Sequence, residues 1–252
     1  AEVIVYRNNN QYSLTELYNR GLKESKNNLV VFCHDDIIIE RKSWGRRLIK
    51  NFEKNTEYGV LGVAGSKVIS HSAMWWTEAH KTFGVVNHIQ NGVKQTNKYS
   101  YDLLDEIENV VVVDGLFMAV MKDRIKKPFN ENYGRFHFYD ITFCVDNFLS
   151  GVKIGVMTNI RITHKSIGET NSSFESAKKQ FVNEYTDKLP KSKKIKVQTP
   201  IINRVIVNEP KLSIIIPTKN NYILLYETIK SITDLTKYQN CKIYIADTGS
   251  DG

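Results

Sequence analysis

The sequence predicts an α/β protein: a mostly parallel central sheet flanked by helices, with a short βαβ unit at the carboxyl end. Three observations lead there. Apolar runs of strand length alternate with segments whose apolar residues recur at three- and four-residue spacing. A chain of 252 residues with 41% hydrophobic content can bury one substantial core, or one core and part of another. A basic, proline-broken stretch then separates residues 211–252 from everything before them.

The elements follow in order. Residues 3–6 (Val-Ile-Val-Tyr) read as a short strand, and the asparagines at 8–10 as a turn. Ser13 and Glu16 have capping-box spacing, and Leu14, Leu17, Tyr18, Gly21 and Leu22 share one face of the helix that follows. Leu29–Cys33 is the central strand; a helix is expected near residues 44–55 and a strand over 60–64. Residues 70–108 are rich in aromatic and polar groups, with short strands and a turn at Gly92. Two apolar runs, 110–113 and 116–121, flank Asp114-Gly115 as strands around a kink or turn. Tyr139–Leu149 is a helix stopped near Gly151; 152–157 and 160–164 are strands, and 175–189 is a helix. Lysines crowd 188–196, and polar and proline breaks occupy 199–210. Beyond them a strand runs into Pro217-Thr218-Lys219-Asn220, a helix spans 222–233, and a strand at 242–246 ends in Asp247-Thr248-Gly249-Ser250.

The 35 basic and 27 acidic residues leave a charge of +8, which favours anionic partners such as nucleotides, phospholipid headgroups or nucleic acid. Nucleic acid is not expected, because no motif interleaves basic and aromatic residues. No run of about eighteen apolar residues is present, and no secretory signal opens the chain. Three cysteines argue against a disulfide framework and for a reducing compartment. No G-x-G-x-x-G follows the early strand, which disfavours a dinucleotide-binding dehydrogenase.

The chemistry concentrates in a few places. His34-Asp35-Asp36 ends the central strand abruptly, and in open α/β sheets the ligand crevice lies beyond the carboxyl ends of strands. Three potential ligands there can hold a divalent cation and, through it, a diphosphate. Asp114-Gly115, Asp140 at the start of a helix, and His164 at the end of a strand follow in order. Each also has an ordinary structural use. The acidic pair can be a turn or a cap, Asp114-Gly115 a turn, Asp140 a helix cap and His164 a packed strand-end residue. Trp75-Trp76 is core or loop packing more readily than a binding platform.

Taken together, His34-Asp35-Asp36, Asp114-Gly115, Phe136-His137-Phe138-Tyr139-Asp140 and His164 resemble the family-two glycosyltransferases of the GT-A fold. The closest subgroup has a metal motif that reads His-x-Asp, and the match covers about residues 3–170. The resemblance implies metal ligation by Asp36, with His34 beside it and His164 returned from a distant strand. It implies Mn2+ or Mg2+ as the cofactor, since mixed imidazole and carboxylate ligation suits the first and oxygen ligands accept the second. Asp35 would face the donor, and Asp140 would be the base of an inverting, single-displacement transfer. Asp114, Gly115, Trp75 and Trp76 would lie on the acceptor side, the glycine letting backbone approach the sugar.

The same resemblance shapes the domain reading. Residues 1–189 correspond to a glycosyltransferase domain lacking its first nucleotide-binding βαβ unit, 190–210 to a linker, and 211–252 to that first unit of a second domain. The last unit begins a tandem domain or docks onto the first; in either case Pro217, Thr218 and Asp247 would serve the nucleotide. The chain reads as a segment of a longer protein. The implied partners are a nucleotide sugar, by default UDP-linked, and a glycan, lipid-linked or protein acceptor, in bacterial surface-polysaccharide synthesis. The implied location is cytoplasmic, with peripheral contact at the inner face of the membrane. The rival readings are a sugar nucleotidyltransferase and a truncated, non-catalytic sugar- or partner-binding module.

Overall fold

The computed structural model describes residues 3–6, 9, 11–69, 72–77, 81–90, 93–99, 107–133, 136–166, 170–189, 212–218, 225–226, 229–230, 232–233 and 241–247. The chain forms two compact units, 1–194 and 195–252. The expected linker and the Gly92 turn lie outside the described residues, as do Asn220 and Thr248-Gly249-Ser250.

The first unit is built on a five-stranded sheet in the order β1 (Leu29–Cys33), β9 (Phe117–Met121), β3 (Tyr58–Gly62), β10 (Lys153–Met157), β7 (Ile107–Val110). The expectation of a mostly parallel sheet is corrected here. β3 and β10 pair in parallel, but β1–β9, β3–β9 and β10–β7 are antiparallel. The reason is legible in the pairing. β1, β3 and β10 all point the same way, while β9 inserts between β1 and β3 running against both. β3 is buried along its whole length and β9 along nearly all of it, so neither shows the alternation that marks an antiparallel strand with one wet face.

A second sheet runs β2 (Ile37–Ile39), β11 (Ile162–His164), β5 (Thr82–Gln90), β4 (Ala64–Ser66), β8 (Val112–Val113), with β6 (Val93–Lys98) paired to β5. The apolar run 110–113 is therefore divided: β7 ends in the first sheet, and β8 begins in the second. Residues 3–6 form no strand; Val3 and Val5 are exposed and no strand pairs with them among the described residues.

Four helices of the first unit are described: α1 (Leu14–Glu24), α2 (Trp44–Lys54), α3 (Tyr139–Leu149) and α4 (Ser172–Tyr185). The capping box predicted for α1 forms in full: Glu16 N–H donates to Ser13 Oγ at 3.3 Å, and Ser13 N–H donates to Glu16 Oε2 at 2.6 Å. α3 is unlike it. No side chain caps it, and Phe138 before it holds a left-handed backbone at φ 63°. A large aromatic in that conformation is strained, and such strain gathers where surrounding structure demands it. The surroundings are aromatic: Phe129 stacks on Phe143 at 4.1 Å, and Phe32 meets Tyr18 at 4.5 Å. Asn147, fully buried on α3, accepts from the N–H of Lys126 and Lys127 and donates to the carbonyls of Lys127 and Phe143. That anchors the loop after β9 to the helix.

In the second unit β12 (Leu212–Thr218) and β13 (Cys241–Asp247) pair in parallel from Leu212↔Cys241 to Thr218↔Asp247. Residues 225–226, 229–230 and 232–233 between them are helical. Pro217 and Thr218 thus stand in register with Ala246 and Asp247 at one end of the strand pair.

Candidate active site

Two strand ends build the centre of the site. His34 follows β1 directly, and its N–H donates to the carbonyl of Leu116 at 3.1 Å, which ties it to the Asp114–Leu116 turn. β11 pairs with β2 on one side and β5 on the other, and its last residue, His164, stands opposite Ile37 and His88. Because β2 begins one residue after Asp36, this register returns His164 to the end of β1. Lys165 N–H donates to the Asp36 carbonyl at 2.9 Å and fixes the approach.

The side chains converge accordingly. His34 Nδ1 lies 3.3 Å from His164 Nε2, which is 3.1 Å from Asp36 Oδ1. One donor atom from each residue falls within 4.8 Å of the others. Three ligands around one small cation must be about this close, and a two-nitrogen, one-oxygen set suits Mn2+ while still accepting Mg2+. The ligands therefore fit the cation that the sequence implies. Their electrostatics agree. Burial works to raise the Asp36 pKa, but the Ser166 hydrogen bond and the two imidazoles outweigh it, so the carboxylate stays ionised. Burial lowers the His164 pKa against the opposing pull of Asp36, which keeps a lone pair available.

Across the same cavity sits Asp140. Its Oδ2 accepts from Gly115 N–H at 2.8 Å and its Oδ1 from Ile141 N–H at 2.9 Å. Burial, and secondarily the charge of Asp114, raise its pKa to about 7 despite those two hydrogen bonds. Asp114 itself braces the turn, accepting from Leu116 N–H at 2.9 Å. A carboxylate poised near neutrality in a cleft is what general-base chemistry requires.

The cavity joining these groups has a volume of about 810 Å³. Its lining includes four carboxylates, Asp35, Asp36, Asp114 and Asp140, and four histidines, His34, His88, His137 and His164. Among the described residues no lysine or arginine lines it, although the chain carries +8.

The remaining predicted residues divide. Asp35 is exposed and lines the cavity. Trp75 is buried and packs edge-on against Trp76 and Tyr99, at 5.8 and 5.6 Å, while Trp76 is exposed at the rim, 6.2 Å from Phe174. Both line the cavity. Gly115 is buried, and a Cβ there would lie 2.1 Å from the Tyr139 hydroxyl. The glycine makes room for Tyr139. Pro217, Thr218 and Asp247 lie on β12 and β13 of the second unit, and their side chains fall outside the described ones.

Sequence reasoning missed three contributors. Tyr139 reaches His34 Nε2 at 3.0 Å through its hydroxyl; its position beside Asp140 was the available signal. His88 sits level with His164 on β5, with Nδ1 3.2 Å from the Ser166 carbonyl oxygen. Ser166, two residues past His164, places its hydroxyl 3.3 Å from Nε2.

No curated protein sequence matches the chain. A family model described as "Glycosyltransferase like family" matches residues 1–185, which takes in β1, Asp140 and His164, and the chain belongs to that glycosyltransferase family.

Proposed function

We propose that the protein transfers a sugar from a nucleoside-diphosphate sugar to a hydroxyl acceptor with inversion, using His34-Asp35-Asp36 as a His-x-Asp metal motif and Asp140 as the base. The observation that carries this reading is the convergence of His34, Asp36 and His164 in the cavity that also holds Asp140. A divalent cation held by Asp36, His34 and His164 would supply Lewis-acid stabilisation of the charge that develops on the diphosphate.

The protein's own groups account for the rest. The acceptor oxygen attacks the anomeric carbon as its proton passes to Asp140, and the bond from that carbon to the diphosphate breaks, its electron pair leaving with the phosphate oxygen. Asp140 suits the task because both of its oxygens are fixed by backbone N–H groups of Gly115 and Ile141. Burial keeps its proton affinity high enough to accept a proton near neutral pH. Asp35, exposed in the cavity, faces the donor. The acceptor ring rests against Trp76 at the rim, with Asp114 oriented by its turn. The donor is UDP-linked, the acceptor is a glycan or a lipid- or protein-linked glycan, and residues 211–252 serve a nucleotide through Pro217, Thr218 and Asp247. The site works on the cytoplasmic side, with peripheral membrane contact.

A panel of nucleotide sugars incubated with Mn2+ and glycan acceptors tests this by release of nucleoside diphosphate and by the anomeric configuration of the product. Acceptor-dependent release with inversion is expected; a retained anomeric configuration would refute the role of Asp140 as base.

A further inference from the structure

We propose that Tyr139 is the positioning residue of the metal site: its hydroxyl takes the His34 Nε2 proton in a hydrogen bond and leaves the Nδ1 lone pair facing Asp36 and His164. This rests on the metal reading above and adds to it a residue that acts through His34.

The geometry begins with the His34 ring, which is engaged at both nitrogens. Nδ1 lies 3.3 Å from His164 Nε2, inside the ligand cluster, and Nε2 lies 3.0 Å from Tyr139 Oη on the other side. A neutral imidazole carries one N–H, and which nitrogen bears it is set by the partner of the other. A ring that lends Nδ1 to a cation must carry its proton on Nε2, and that proton needs an acceptor in a half-buried place. Among the described residues the acceptor in reach is the Tyr139 oxygen.

The tyrosine is held closely by its surroundings. It is 5% exposed, and its ring meets Tyr18 edge-on at 5.7 Å. Its hydroxyl occupies the space above Gly115, where any side chain would begin 2.1 Å away. The left-handed turn at Phe138 places Tyr139 and Asp140 consecutively at the start of α3, the first reaching His34 and the second reaching Gly115. One turn of backbone therefore sets both the metal ligand and the base, and the glycine that receives Asp140 also admits the tyrosine. This accounts for a strained, uncapped helix start where a serine or aspartate would be the ordinary choice.

The test is Mn2+ binding by the whole chain, followed by calorimetry and by electron paramagnetic resonance of the free ion. Tyr139→Phe keeps the ring and removes the oxygen. It is expected to raise the Mn2+ dissociation constant about tenfold, the scale seen when a ligand's supporting partner is lost. At saturating Mn2+, turnover should return towards the parent value, a pattern that a general folding defect would not give. In a His34→Ala background the same change should have no further effect on Mn2+ binding. With Mg2+ bound, imidazole nitrogen spectra should show the Nε2–H tautomer for His34. An unchanged dissociation constant in Tyr139→Phe, or its full penalty persisting without His34, would overturn the role of Tyr139 while leaving the metal site intact. A parent chain that binds no Mn2+ would overturn both.

Discussion

Replacing Asp140 by asparagine should make the protein more stable at alkaline pH even though it should abolish transfer. Burial, followed by the charge of Asp114, raises the Asp140 pKa from 3.8 to about 7. A folded-state value above the unfolded one means that the native state binds the proton more tightly. The stability this contributes is whole below about pH 4 and is lost as pH rises towards 7. A difference of roughly three units corresponds to about 4 kcal/mol of destabilisation at pH 8. Asparagine cannot ionise and escapes it. Its single oxygen cannot replace both carboxylate oxygens, so one of the hydrogen bonds from Gly115 and Ile141 is lost, at about 1–2 kcal/mol. The net expectation for Asp140→Asn is a gain of about 2–3 kcal/mol at pH 8, some 5–10 °C in melting temperature, turning into a loss of about 1 kcal/mol at pH 4. The assay is thermal unfolding in chelator across that pH range. Intrinsic tryptophan fluorescence is the right probe, because all three tryptophans, Trp44, Trp75 and Trp76, belong to the first unit. A variant that is less stable at pH 8, or one whose difference from the parent does not change with pH, would refute the buried, proton-holding carboxylate.

The same carboxylate should leave its mark on catalysis. A base must be deprotonated to act, so kcat/KM should rise with pH along an acid limb centred near pH 7, and an acid limb near pH 4 would contradict the assignment. Gly115→Ala should destabilise by about 2 kcal/mol, because its Cβ would meet the Tyr139 hydroxyl 2.1 Å away and two carbons of the buried ring at 2.6 and 3.0 Å. Urea unfolding measures it, and an unperturbed midpoint would show that the turn has more freedom than its contacts imply.

What could be read from the sequence was what the chain encodes locally. The α1 capping box is complete within residues 13–16, and Tyr139–Leu149 was bounded correctly because apolar spacing and Gly151 mark it. The end of β1 was legible because an apolar run breaks there into three ligand-type residues, and the other blocks that follow in order set it apart from an ordinary turn or cap. The antiparallel course of β9 was not, since a strand buried on both faces shows the same unbroken apolar run in either direction. Residues 3–6 have strand-like composition, but composition cannot supply a neighbouring strand. The meeting of His34 with His164 spans 130 positions, and only a family resemblance pointed to it. The contact between Gly115 and Tyr139, and that between Tyr139 and His34, were passed over for one shared reason. The glycine is needed by a hydroxyl 24 positions later, and that hydroxyl by a histidine 105 positions earlier. Neither relation leaves a local pattern.

The central claim is that His34, Asp36 and His164 form a metal centre serving a nucleotide, while Asp140 serves the transfer alone. Calorimetric titration with UDP, with and without Mn2+, tests it most directly when run on the parent chain, Asp36→Ala and Asp140→Asn. The account predicts UDP binding that requires Mn2+, disappears in Asp36→Ala and is preserved in Asp140→Asn. UDP binding that ignores Mn2+, or that survives Asp36→Ala unchanged, would contradict it.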